Sequence, residues 1–294
     1  MSHKAGFVAV VGRPNVGKST LINEMIGQKI NITSHKPQTT RHKIYALDST
    51  NDYQFVFVDT PGMHIGAKKA INKYMNRVAS SSLSEVDMVL WLIEAGVWHK
   101  EDERVLEFIK NLDVPVILVI NKIDKAKDRK KLLPFIEKIT QYYSSDNLVP
   151  VSAFDKKSIL YLKEVMLKFL PEQKAIYDKD YLTDKSQKFL VAEFIREKLI
   201  RNLHNEIPYD LTVEIEQFKL DGSMFRIHAK ILADKESQKN IIIGYQGNML
   251  KKISTDARIS IEGLLEAKVF LKLWVKVKEG WADDKRALAS LGYD

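Results

Sequence analysis

Hydrophobic and polar positions follow two different rhythms along this chain. Up to about residue 170, short apolar, β-branched runs alternate with stretches whose apolar residues recur at helical spacing, the pattern of parallel strands joined by crossover helices. Strands are predicted over 7–11, 44–48, 55–59, 88–94, 116–121 and 148–151. Helices are predicted over 18–26, 70–82, 100–111, 129–142 and 157–170, the last spacing Ile159, Leu162, Met166 and Phe169 on one face. Pro171 cannot continue that helix, and the polar, aperiodic stretch 171–188 reads as a linker. Beyond it the order becomes helix, two strands, helix, helix, strand. Val191, Ile195, Leu199 and Leu203 recur every four residues; 211–218 and 224–232 alternate around Asp221-Gly222; two helical pieces flank Gly244 and Gly247; and 269–277 alternates strictly. The expected architecture is an α/β domain over 1–170 with a mostly parallel six-stranded sheet, a linker over 171–188, and a smaller α+β domain over 189–294.

Composition narrows the class without altering this outline. The 294 residues are 45% hydrophobic and 29% charged with few glycines and prolines, which excludes collagen-like and wholly disordered chains. Cysteine is absent, so disulfide frameworks, thiolate-bound zinc, iron–sulfur clusters and thiol nucleophiles are excluded. The seven histidines show no metal-ligand spacing. No apolar run approaches the roughly 18 residues of a spanning helix, so membrane contact is expected to be peripheral at most. The net charge of +8 favours an anionic partner; it lies almost wholly in residues 1–170, so charge alone would not mark the second domain as a nucleic-acid binder.

The chemistry begins at Gly12-Arg13-Pro14-Asn15-Val16-Gly17-Lys18-Ser19, followed by Thr20. This is Gly-x4-Gly-Lys-Ser between an apolar strand and a helix, the context in which it forms a phosphate loop. Glycines let backbone amides turn toward phosphate oxygens, the helix N-terminus adds positive potential, Lys18 reaches the terminal phosphates, and the Ser19 hydroxyl suits magnesium. Asp59-Thr60-Pro61-Gly62 ends the third strand: Asp59 can hold magnesium through water and the Gly62 amide can approach a γ-phosphate. Asn121-Lys122-Ile123-Asp124 ends the fifth strand and selects the base. The Asp124 carboxylate can accept from N1–H and the 2-amino group of guanine, a donor pair that adenine lacks, while the Lys122 stem covers the ring. Ser152-Ala153 follows the sixth strand, where the Ala153 amide can donate to guanine O6.

These four motifs, in this order, resemble the translation-factor-related class of GTPases. Gln38-Thr39-Thr40-Arg41-His42 is similar to the switch I segment of that class, in which a threonine completes the magnesium shell; Thr40 is favoured and Thr39 is the alternative. Met63 follows Gly62, so the glutamine that orients attacking water in Ras-like proteins is missing, and slow intrinsic hydrolysis is expected. The resemblance implies a potassium ion beside Asn15, a residue that reads equally as a plain turn former. Lys18, Thr40, Gly62 and Asn15 are the catalytic candidates, and Ser19, Thr40 and Asp59 the magnesium set.

The element order of the second domain, with Gly244-Tyr245-Gln246-Gly247 between its central helices, resembles a type II KH domain, in which a Gly-x-x-Gly loop lies against single-stranded RNA. The usual basic residue between the glycines is absent, so phosphate contact falls to backbone amides, Lys251, Lys252 and Arg258. In the last strand the odd positions are aliphatic, whereas Lys268, Phe270, Lys272, Trp274, Lys276 and Lys278 make the other face basic and aromatic. Lys272, Trp274 and Lys276 are RNA-binding candidates on that ground; the same pattern also reads as a solvated face with its rings covered by a neighbour. Together with the terminal run 275–288, the whole chain resembles a bacterial family of KH-domain GTPases of small-subunit ribosome assembly. That resemblance implies binding of 16S rRNA near its 3′ end, a role in 30S maturation with a link to cell-cycle control, a monomeric state, and a cytoplasmic location with peripheral association at the inner membrane face. The rival readings are a P-loop kinase or ATPase, and a GTP-regulated protein-binding adaptor that does not touch RNA.

Overall fold

The computed structural model describes residues 3–34, 36, 39–61, 70–81, 85–126, 132–143, 147–203, 211–291 and 293. Contacts divide them into two units. The first holds the described residues up to 31, 40–61 and 75–184, and the second holds those of 32–39, 70–74 and from 185 onward.

In the first unit, β1 (Lys4–Val11), β2 (Ile44–Ser49), β3 (Tyr53–Asp59), β4 (Met88–Glu94), β5 (Val116–Asn121) and β6 (Leu148–Pro150) form one sheet in the order β2-β3-β1-β4-β5-β6. Only the β2–β3 pairing is antiparallel. Leu90, Trp91, Leu92 and Ile93 of β4 and Ile117, Leu118, Val119 and Ile120 of β5 are completely buried, which is why these strands read as unbroken apolar runs and not as alternating ones. The chain leaves β1 to build β2 and β3 on one side of it and β4 to β6 on the other. Open α/β sheets bind ligands outside the carboxyl ends of their strands at such a reversal. Register sets Val10 beside both Asp59 and Leu90, while β4 and β5 continue past that level and end side by side at Glu94 and Asn121. The helices are α1 (Lys18–Ile26), α2 (Ala70–Ser81), α3 (Lys100–Ile109), α4 (Leu132–Tyr142) and α5 (Lys156–Leu167).

Two departures from the sequence reading have local causes. β1 begins at Lys4 because that residue is tied at both ends, its amide to the Asp52 carbonyl (3.0 Å) and its Nζ to the Leu167 carbonyl (2.9 Å); a polar residue carries no hydrophobic signal for a strand start. Part of the expected linker is fastened to the sheet. Leu47 N donates to the Leu182 carbonyl (2.9 Å), and the Gln54 side-chain oxygen accepts from the amides of Ile176 and Tyr177 at 2.8 and 3.0 Å.

The second unit contains α6 (Gln187–Asn202), β7 (Leu211–Asp221), β8 (Met224–Ala233), α7 (Glu236–Ile243), α8 (Asn248–Leu265), β9 (Lys268–Val277) and α9 (Lys285–Ser290). Its sheet runs β7-β8-β9, antiparallel then parallel. Val191, Ile195 and Leu199 of α6 and Ile253, Ala257 and Ile261 of α8 pack on Ile227, Ile231 and Val269, so the helices cover one face of the sheet. A bulge between Ile215 and Gln217 breaks the alternation of β7, and pairing of Lys219, Leu220 and Asp221 with β8 carries the strand beyond the predicted run. Helix α9 has only six residues and left no periodic trace; it is capped by Asp284, which accepts from Arg286 N at 2.9 Å, and held by burial of Ala287 and Leu288.

Two segments from early in the sequence belong to this unit. Ile32 joins its core. The buried Glu197 carboxylate of α6 accepts from Thr33 N (2.9 Å) and Thr33 Oγ1 (3.3 Å) and pairs with Arg201 at 3.0 Å. Arg196, gripped by both oxygens of Glu193, donates to the Thr39 carbonyl. Ala70 N donates to Asp283 Oδ1 (3.0 Å), and Ile71 and Tyr74 pack with Trp281, Leu288 and Tyr293. Glu197→Gln retains the shape of the side chain but not its charge, and is expected to cost about 1.5–3 kcal/mol of stability, the range for bonds to an ionised group. Urea unfolding followed by circular dichroism reads this directly; an unmoved midpoint would show that these bonds are not holding the segment.

Candidate functional site

The loop after β1 winds so tightly that side chains are excluded from it. Gly17, the residue preceding α1, has φ +103°, and a Cβ there would stand 2.4 Å from Asn121 Nδ2. No acidic residue occupies the first turn of α1, so its N-terminal potential is not cancelled. Asn15 sits at φ +67°, a conformation that asparagine tolerates better than most residues, which accounts for it as a turn former; its side chain is exposed.

Lys18 is buried and donates to the carbonyls of Gly12 (2.9 Å) and Arg13 (3.1 Å), which holds its ammonium over the loop. Burial pushes its pKa down to about 8, against the pull of Asp59. At the end of β3, Asp59 is completely buried, and desolvation pushes it up to about 6 despite Lys18, Ser19, Thr40 and the Thr60 backbone, all of which favour its charged form. Ser19 Oγ donates to Asp59 Oδ2 at 2.9 Å, Thr40 Oγ1 stands 3.1 Å from Ser19 Oγ and 3.4 Å from Asp59 Oδ2, and Asp59 Oδ1 is buried with no hydrogen-bond partner. Two hydroxyls meeting at an under-satisfied carboxylate make three hard oxygen donors that fit magnesium. Of the two threonines, the structure places Thr40 in this cluster; the Thr39 hydroxyl donates to the Lys36 carbonyl at 2.7 Å. Thr20 lies half-buried in the first turn of α1, and Thr60 and Pro61 are buried directly after Asp59.

The segment expected to select the base is tied to the loop after β1. Asn121 Nδ2 donates to the Val16 carbonyl at 2.8 Å, and Lys122 Nζ donates to the Asn15 carbonyl at 2.6 Å and to Glu94 at 2.9 Å. Asp124 is exposed on the turn that follows β5. Ser152 and Ala153 are buried at the end of β6, and Ser158 Oγ fixes their turn by donating to the carbonyls of Ser152 and Asp155, both at 2.9 Å. Gly62, Met63 and His64 lie outside the described residues.

Three groups that sequence reasoning did not single out complete the site. Glu94 ends β4 between Lys122 and Arg13, with Arg13 Nη2 at 3.0 Å, and Asp102 of α3 stands 3.3 Å from Arg13 Nε. The Arg13 side chain is thereby committed to carboxylates, which leaves its backbone as its part in the loop. Partial burial opposes ionisation of Glu94, but Lys122 and Arg13 outweigh it and hold the carboxyl below its usual range. A carboxylate directly after the apolar run of β4, level with Asn121, was the available signal for Glu94. Ser158 offered none, because a serine in the first turn of a helix is ordinary.

The proposed RNA residues fall into two groups. The loop between α7 and α8 carries Gly244 and Tyr245, the latter 81% exposed. A Cβ on Gly244, at φ +71°, would lie 2.6 Å from Met249 Cβ, and Gln246 and Gly247 also have positive φ. Exposed Lys251 and Lys252 follow at the start of α8, while Arg258 is engaged with Glu262 at 2.9 Å. Lys272, Trp274 and Lys276 are elsewhere. Their neighbours Leu271, Leu273 and Val275 pack toward the helices, so these three face the opposite side of the sheet. The candidates named from sequence therefore lie on two surfaces, because the loop joins helices on one face and strand alternation sends these side chains to the other.

A phosphate loop wired to a guanine-selecting segment on this sheet, followed by an α-β-β-α-α-β unit with a Gly-x-x-Gly turn, defines a P-loop GTPase joined to a type II KH domain. Residues 7–122 match the family described as 50S ribosome-binding GTPase, and residues 206–282 match the KH domain family. The chain is 50% identical to GTPase Era of Yersinia pestis (strain Pestoides F), over 98% of this chain and 95% of that protein. Its structure is similar to crystal structures of a point variant of Aquifex aeolicus Era bound to GDP·AlF4− (TM-score 0.94) and of Era in complex with MgGDPNP and nucleotides 1506–1542 of 16S ribosomal RNA (TM-score 0.95), each at 38% identity and 99% coverage of both chains. This chain belongs to the GTPase Era family.

Proposed function

We propose that this GTPase is a two-domain switch that binds the 3′ end of 16S rRNA and acts in 30S subunit maturation. Lys18 and the amides of the loop hold the phosphates, Ser19, Thr40 and Asp59 hold magnesium, and Asn121, Lys122, Asp124 and Ala153 hold guanine. The Asn121–Val16 bond carries the nucleotide half of this reading, since it couples recognition of the base to the shape of the phosphate loop. Magnesium held by these residues would neutralise charge on the phosphates. Lys18 adds a fixed positive charge beside the leaving oxygen, and Thr40 is positioned to register whether the γ-phosphate is present. Asn15 is the candidate for a potassium ion, tested by comparing hydrolysis in potassium and sodium buffers. Among the described residues no helix is long and apolar enough to cross a membrane; a cytoplasmic monomer that touches the inner membrane face peripherally is the reading carried by family resemblance.

The switch works through the segment that ends at Thr40. Its preceding residues are bonded to α6 of the RNA-binding unit, so ordering of Thr40 by GTP biases that helix. Calorimetry should show GTP and GDP binding with no comparable heat from ATP, and EDTA should weaken GTP binding and speed its release. A 16S rRNA 3′ fragment should crosslink to the second unit. Equal heats from ATP and GTP would favour the kinase or ATPase reading, and absence of crosslinks the adaptor.

A further inference from the structure

We propose that the sheet face turned away from the helices is a second RNA-contacting surface, on which unpaired bases stack against Phe270 and Trp274 while Lys272 and Lys276 neutralise the neighbouring phosphates. The inference rests on the RNA-binding reading above and adds a separate site to it. Along β9 this face presents cation, ring, cation, ring, cation at alternate positions, a step of about 6.6 Å given a rise of about 3.3 Å per residue. Phe270 is 44% exposed although it is a phenylalanine on a regular strand. His228 of β8 stands edge-on to both rings, 6.3 Å from each, and Arg226 lies over Phe270 at 5.8 Å.

Lysines alone would have a sufficient explanation, since β9 ends the sheet and charged residues on a terminal strand discourage pairing with other chains. Aromatic rings partly open to solvent between those lysines do not serve that purpose; they add the apolar area that such a strand is built to avoid. Rings interleaved with cations are what single-stranded nucleic acid requires, because every base offers a π-face and every linkage a phosphate. The β7 side of the face is less attractive to anions. Lys230 is held by Glu214 and Glu216 at 3.1 and 3.0 Å, and Arg226 by Asp221 at 2.5 Å. The attractive strip therefore follows β9.

The two surfaces can be separated with the full-length chain and a thiouridine-labelled RNA hairpin carrying a single-stranded 3′ tail. Photocrosslinks are expected on β9 as well as on the loop at Tyr245, and the β9 set should persist in Gly247→Asp, which places a carboxylate in the loop. In that background Trp274→Ala should lower the remaining affinity about ten-fold, within the range for loss of one stacked base. Lys272→Ala with Lys276→Ala, two exposed residues with no packing role, should weaken binding and flatten its salt dependence by about 1.4 in the log–log slope. Crosslinks confined to the loop would overturn the second surface and leave the RNA-binding reading intact, whereas absence of crosslinks anywhere would remove both. Lysine variants that lose binding to phosphatidylglycerol vesicles but keep full RNA affinity would assign this face to lipid and overturn the proposal equally.

Discussion

Asp124→Asn should lower affinity for GTP by about 10–150-fold, the loss expected for one hydrogen bond to a carboxylate at roughly 1.5–3 kcal/mol. The exposed side chain at position 124 carries no packing load, so the protein should remain folded and its phosphate contacts unchanged. Asparagine offers one acceptor and one donor in place of two acceptors. It still accepts from N1–H, but its amide faces the 2-amino group of guanine donor to donor. Xanthine carries a carbonyl there, so xanthosine triphosphate should bind the variant better than GTP does. Calorimetric titration of both nucleotides into both proteins measures the exchange. If the variant prefers GTP as strongly as the parent does, Asp124 is not what recognises the base.

Gly17→Ala should abolish useful binding of every nucleotide regardless of its base. At φ +103° the added methyl is strained by itself, at about 1–3 kcal/mol for such a conformation. The larger effect is steric. The methyl would fall 2.4 Å from Asn121 Nδ2, the atom that donates to the Val16 carbonyl, so either the loop opens or Asn121 leaves. Both outcomes damage the phosphate and base contacts together, and affinity for GTP, GDP and xanthosine triphosphate should fall by the same factor, at least about 100-fold, equivalent to two steps of 1.4 kcal/mol. This distinguishes it from Asp124→Asn, which exchanges one base for another. Normal GTP affinity in Gly17→Ala would mean that the loop relaxes without disturbing Asn121.

The nucleotide motifs were legible in the sequence because each demands rare residue types at fixed spacing and each follows an apolar strand. Asp59 then ends β3 and Asn121 ends β5, as sequence order alone had put them. Thr40 was expected from the resemblance of residues 38–42 to switch I, and only its position beside Ser19 and Asp59 separates it from Thr39. What escaped were groups that act through distant partners. Nothing near Glu94 in sequence shows that Arg13 and Lys122 will meet on it, and the roles of Asp102 and Ser158 likewise arise from the fold. The second domain was legible in its order of elements but not in its surfaces. Lys251 and Lys272 look equivalent as basic residues, and only the layer of helices over one face of the sheet reveals that they lie on opposite sides. The attachment of Thr33 and Thr39 to α6 left no trace either, since Glu197 and Arg196 read as ordinary charges on an amphipathic helix until their burial is seen.

That attachment changes what it means to cut this protein in two. The two units are not consecutive in sequence, because strips of the amino-terminal half complete the hydrophobic interior of the carboxy-terminal half. A gene truncated after residue 184 would yield a fragment whose Ile32, Ile71 and Tyr74 have lost their surroundings, and the complementary fragment would lack those same side chains. Such fragments are poor surrogates for the whole, and weak nucleotide binding by the shorter one would report an orphaned strip beside Thr40 and not an intrinsic property of the pocket. Amide deuterium uptake on the intact polypeptide is the sounder probe, with α6 slowing when the triphosphate replaces the diphosphate.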